Sequence, residues 1–184
     1  MQKSTSRSFT EIGLPNGHGF PELAYHYPTG YIIAHTRPLE SRLPAARLSI
    51  RRIGESHYSP VGDFPPAISV SSFALSPKLP LLYFITSEWK DYVNGPPGGD
   101  WDSLYRFFLD TRCCEVVARR GELVPPNSYQ SAWLCEILSV SDDGCNLYCK
   151  AALRGVKPID YCLSEFSTND RKLSPISKLE AVFA

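Results

Sequence analysis

Phe73-Ala-Leu-Ser-Pro-Lys-Leu-Pro-Leu-Leu-Tyr-Phe-Ile-Thr86 reads as a strand, a turn anchored by Ser76 and closed by prolines, and a second strand. The second strand, Leu81-Leu-Tyr-Phe-Ile85, is apolar at every position. A run this short, bounded by turn residues, predicts a strand buried on both faces inside a stack of sheets. The same order of parts recurs. Leu104–Thr111 and Glu115–Ala118 continue the first copy. Leu138-Ser-Val-Ser-Asp-Asp-Gly-Cys-Asn-Leu-Tyr-Cys149, then Tyr161–Phe166, forms another. A fainter copy holds Leu23–Gly30, Tyr31–Ala34 and Arg47–Ile50. Internal repeats decide architecture first. The chain is expected to be one all-β domain of antiparallel sheets, with approximate repeats near 20–60, 66–120 and 130–184.

Further strands are expected at Ile68–Leu75, Ala132–Val140, Asn146–Ala152 and Leu179–Phe183, because Pro, Gly, Ser and Asp bound each apolar run. The 184 residues hold sixteen prolines and show no long amphipathic helix. Nineteen basic side chains balance nineteen acidic ones. No global field then favours nucleic acid or an anionic membrane. No run approaches the ~20 apolar residues that a spanning helix needs. The N-terminus lacks the apolar stretch of a secretory signal, so a cytoplasmic location is expected. The six cysteines, Cys113, Cys114, Cys135, Cys145, Cys149 and Cys162, are then expected as free, mostly buried thiols.

Ser141-Asp142-Asp143-Gly144 followed by Leu147-Tyr148, and Leu104-Tyr105 through Leu109-Asp110-Thr111 followed by Glu115-Val116-Val117, resemble the blade repeat of TolB-type and prolyl-oligopeptidase-type β-propellers. Asp accepts backbone hydrogen bonds and Gly tolerates positive φ, as a tight reversal requires. The first clear copy departs from that pattern, with Ser76-Pro-Lys-Leu-Pro80 in place of Asp-Gly. The resemblance implies partial β-propeller-like repeats, with a β-sandwich or an irregular barrel as the alternative; about three blades are countable, where closed propellers have roughly four to eight. Three blades leave unpaired edges, and a soluble chain must cover or pair such edges. Self-association through the sheet edges, as a homodimer, follows as an expectation. The alternating segment Ser8–Ile12 and the apolar Leu179–Phe183 are the candidate edge strands.

No nucleophile elbow, phosphate loop, dinucleotide fingerprint or zinc-protease helix occurs. His26 and His35 flank one turn and would be cross-strand neighbours in a hairpin, but no third ligand accompanies them, so no metal and no cofactor are expected. Arg37, Arg42, Arg47, Arg51 and Arg52 read as a solvated loop and strand. The sixteen residues Ser87–Asp102 form the longest connection in the clearest repeat, and such loops often carry function. Trp89, Tyr92, Asp100 and Trp101 are the candidate ligand- or partner-binding residues, since aromatic rings beside acids suit a protein, carbohydrate or cationic partner. Catalytic residues are not identifiable. The sequence points first to a non-catalytic binding or interaction scaffold with a protein partner. A hydrolase or lyase with its site on a loop face, or the propeller part of a peptidase-like system, is the second reading.

Overall fold

The computed structural model describes residues 18–38, 45–65, 67–88, 103–127, 129–155 and 159–176. It is nearly all β. The strands are β1 (His18–His26), β2 (Tyr31–Pro38), β3 (Arg47–Arg52), β4 (Ser59–Pro60), β5 (Ile68–Leu75), β6 (Leu81–Glu88), β7 (Ser103–Phe108), β8 (Cys114–Arg119), β9 (Ser131–Val140), β10 (Asn146–Arg154), β11 (Asp160–Ser167) and β12 (Leu173–Pro175). One 3-10 turn, Arg120–Glu122, follows β8. Three four-stranded antiparallel sheets result: β1-β2-β3-β4, β5-β6-β7-β8 and β9-β10-β11-β12. Among the described residues every ladder joins strands adjacent in sequence. The expected strand Leu179–Phe183 and the segment Ser8–Ile12 lie outside the described residues.

The two-faced run in β6 explains how the sheets stack. Leu82 and Phe84 face the first sheet, in a core with Tyr31 and Ile33 of β2, Leu48 and Ile50 of β3, and Tyr105 and Phe107 of β7. Leu81, Tyr83 and Ile85 face the third sheet, in a core with Leu147, Cys149 and Ala151 of β10 and Phe166 of β11. Leu82, Tyr83 and Phe84 are fully buried, and burial stabilises each such side chain by about 1.5–3 kcal/mol. The rings of Phe84 and Tyr105 stack 5.3 Å apart, with Phe64 edge-on to both.

Polar contacts fix the seams. Between sheets one and two, Val70 N–H donates to Ala46 O at 2.9 Å, and Ala46 N–H donates to Ser69 Oγ at 3.0 Å. The Arg47 guanidinium clamps the carbonyls of Ile68 and Pro65. Burial lowers its pKa. Arg51 lies over the Tyr58 ring, 5.2 Å from its centroid. These two arginines therefore serve the packing rather than forming the solvated run expected of them.

Between sheets two and three, the turn that carries the repeat resemblance becomes part of the seam. Gly144 takes φ +71°. The carboxylate of Asp143 accepts bonds from Ser141 Oγ at 2.6 Å and Cys145 N–H at 2.9 Å. Tyr83 Oη donates to Gly144 O at 2.7 Å, in a buried bond. Ser76 closes the Pro-rich turn, accepting from Leu79 N–H at 3.2 Å. It is buried. Lys78 of that turn pairs with Asp142 of the next one. Deeper in the seam, Ile137 N–H donates to Ser72 Oγ at 2.9 Å.

Two expectations are corrected. His26 and His35 are not opposite each other: His26 pairs with Tyr31 and His35 with Glu22. His35 Nδ1 lies 3.3 Å from Glu22 Oε2, and its Nε2 lies 3.0 Å from Val70 O, so the ring serves the seam. Among the described residues no group of three or more potential ligands is placed to hold a metal. The cysteines are all free, but only Cys149 is buried; Cys113 and Cys114 are exposed. Those two follow the reversal at Asp110–Arg112, where Arg112 takes φ +57°, and lead into the outermost strand of the second sheet. No helix among the described residues is long and apolar enough to cross a membrane.

Candidate functional site

A cleft of about 410 Å3 opens at one end of the seam between the second and third sheets. Its walls come from strand ends: Ile85, Thr86 and Ser87 closing β6, Ser103 and Leu104 opening β7, and Trp133, Leu134 and Cys135 near the start of β9. Ala118, a small residue among the larger core side chains of the seam, also lines it. Ile159 and Tyr161 continue the wall onto the third sheet. Ser71 and Thr86 donate to the carbonyls of Ile85 and Ser103, at 3.4 Å each.

The cleft has one charged residue in its described lining, Arg120. Its guanidinium lies over the Trp133 ring, 4.7 Å from the centroid. Lys150 Nζ sits 5.6 Å from the Tyr161 ring. Cations placed this way favour the ring face electrostatically. The 3-10 turn holds Arg120 in place. Glu122 accepts from Arg119 N–H at 3.1 Å and pairs with Arg171 at 3.0 Å. Those bonds, the Arg119 N–H foremost, keep its carboxyl below the ordinary range. Burial pushes the Cys135 thiol up, against the opposing pull of Lys150. A thiol raised in this way stays neutral at pH 7 and is a poor nucleophile.

Trp89, Tyr92, Asp100 and Trp101 lie outside the described residues. Ser87 and Ser103, close to the two ends of their segment, both line the cleft. Sequence reading missed Arg120, Trp133 and Tyr161. Their signal was slight: a paired Arg119-Arg120 at a strand end, and a tryptophan early in the strand that follows.

No protein-family profile matches the chain, and no curated protein matches it. Among solved structures it resembles the GH74 xyloglucanase of Xanthomonas campestris, with a TM-score of 0.51 and 13% identity. The fold is propeller-like. The match covers 87% of this chain and 21% of that enzyme, so the chain spans about a fifth of the enzyme's length. At this identity the likeness is one of fold alone.

Proposed function

We propose that the chain is a non-catalytic binding module of propeller-type blades, with its ligand seated in the cleft between the second and third sheets. The wall itself carries this reading: the side chains of Trp133 and Tyr161, an apolar contribution from Ile85, Leu104 and Leu134, and one cation, Arg120. Such a wall suits a neutral or anionic ligand with a planar or ring-shaped apolar face. General acid–base catalysis most often uses an imidazole or a carboxyl group, and the described lining has neither. The neutral Cys135 thiol favours binding over covalent chemistry for the same site. The turn Ser141–Gly144 with Leu147 and Tyr148 supports kinship with TolB-type repeats.

Saturation-transfer NMR with three probes tests the reading: benzoate, benzylamine and a xyloglucan oligosaccharide. Benzoate or the oligosaccharide should bind, benzylamine should not, and Trp133→Ala should abolish binding while the circular dichroism spectrum is kept. Binding that survives W133A, a preference for benzylamine, or no binding of any probe at millimolar concentration refutes it. Turnover of the oligosaccharide, lost in W133A, would establish an enzyme instead.

A further inference from the structure

Trp133 and Tyr161 are far apart in the sequence, yet the register sets both directly across from one residue. Ala152 of β10 pairs with Trp133 of β9 on one side and with Tyr161 of β11 on the other. Residues opposite each other in an antiparallel ladder share a face. The two rings therefore rise from the same side of the third sheet, in one row across the strands, and both line the cleft. Ala152 between them is fully buried. The floor of the row is thus closed within the chain, and what the row presents to a partner is the rings themselves.

The sheet fixes their spacing. Neighbouring strands lie about 4.7–4.9 Å apart, so two strand intervals set the backbone attachment points of the rings about 9.4–9.8 Å apart. A polyproline II helix advances about 3.1 Å per residue with three residues per turn, so its residues i and i+3 point the same way about 9.3 Å apart. The two repeats agree to about half an ångström. Proline is itself a neutral, ring-shaped apolar group. Aromatic-lined surfaces take Pro-x-x-P segments because that helix is already formed before binding. It has no internal hydrogen bonds, which leaves its carbonyls as acceptors. Tyr161, 62% exposed, brings a hydroxyl that can donate to one. A cation stands beside each ring, Arg120 at Trp133 and Lys150 at Tyr161, and the described lining holds no carboxylate. Acidic residues in the spacer positions complement those charges.

We infer that the cleft takes a proline-rich segment of a partner protein in polyproline II form, with the two prolines of an acidic Pro-x-x-P stacked on Trp133 and Tyr161. This rests on the reading of the cleft as a binding site and names the class of its partner. It makes two demands that a ligand with a single ring does not. Both aromatic side chains contribute, and the spacing between the prolines matters.

Isothermal titration calorimetry of the full chain tests this with three short peptides that share their flanks and differ in the core: Pro-Glu-Glu-Pro, Pro-Glu-Glu-Ala-Pro and Ala-Glu-Glu-Ala. The first should bind, and the other two should bind about tenfold more weakly or worse. Trp133→Ala and Tyr161→Ala should each weaken the first peptide by about tenfold or more, as the loss of an aromatic anchor does. Circular dichroism verifies folding. Tyr161→Leu replaces Y161A should that variant misfold, and the position 161 result decides alone should W133A misfold. No binding of Pro-Glu-Glu-Pro at about 1 mM overturns the inference. So do equal affinities for the three peptides, or a folded position 161 variant that binds as wild type does. If the peptides fail while benzoate or the oligosaccharide binds in a Trp133-dependent way, this inference falls and the binding-module reading stands. If nothing binds, both fall.

Discussion

Replacing Tyr83 by phenylalanine removes one oxygen and leaves the ring in place. Tyr83 is fully buried, and its hydroxyl donates to Gly144 O across the seam between the second and third sheets, at 2.7 Å. Desolvation pushes its pKa up, so the group remains a neutral donor. The variant keeps the apolar contacts with the third sheet and strands the Gly144 carbonyl. A buried acceptor left without its partner costs about 1–3 kcal/mol. For a chain of this length each kcal/mol shifts Tm by about 2–4 °C, so Y83F should melt about 2–12 °C lower. Differential scanning calorimetry gives the shift, and urea titration should show a lower midpoint at an unchanged slope. A loss below about 0.5 kcal/mol would refute the reasoning. It would mean that the carbonyl finds another donor, such as Arg106 or Thr168, both of which act on the same hydroxyl.

Gly144→Ala and Gly30→Ala separate backbone strain from crowding. Both glycines have φ near +70°, but a methyl at 144 would lie 2.9 Å from Leu81 Cδ1, whereas at 30 it meets nothing within 4 Å. G30A should cost about 1–2 kcal/mol, and G144A a further 1–3 or so from overpacking, read as denaturation midpoints; equal costs would contradict the seam. In thiol labelling of the native protein Cys113 should react first. Cys114, next to it and also exposed, should lag, because burial of its sulfur pushes the thiol up to about 11. Cys149, buried and raised by desolvation to about 12, should react only on unfolding; early labelling of Cys149 would contradict this. The Asp143 carboxyl is held below its ordinary value by Ser141 first and the Cys145 N–H second. Its contribution is therefore present above the unfolded pKa near 4 and is lost as pH falls through the folded value. Asp143→Ala should be less stable than wild type at pH 7, with the gap narrowing below about pH 4; a gap that is constant with pH would mean the charge plays no part.

Much of the fold was legible because it rests on local chemistry. Leu81–Ile85 is apolar at both parities, which only a strand between two layers can satisfy, and the structure puts Leu82 and Phe84 on one side and Leu81, Tyr83 and Ile85 on the other. Ser141 to Gly144 announce a reversal through their own side chains. The outermost strands β4 and β12 escaped notice: they hold two and three residues, and each includes a proline. The burial of the cysteines was misjudged because position relative to a turn, not thiol hydrophobicity, decides where Cys113 and Cys114 stand. The cleft was illegible for a different reason. Arg120 and Trp133 belong to different layers, and nothing in the spacing of either declares that a guanidinium will rest on an indole.

Among the described residues the ladders join only consecutive strands, and that constrains how the chain acquires its structure during synthesis. Each layer has its ladder partners as soon as its own fourth strand leaves the ribosome, so the layers can form in the order of translation. The middle layer is then exposed for a time. With β5 to β8 complete and β9 still unmade, Leu81, Tyr83 and Ile85 face water and the Tyr83 hydroxyl lacks its acceptor. That interval, rather than the finished molecule, is when the nascent protein is most open to aggregation.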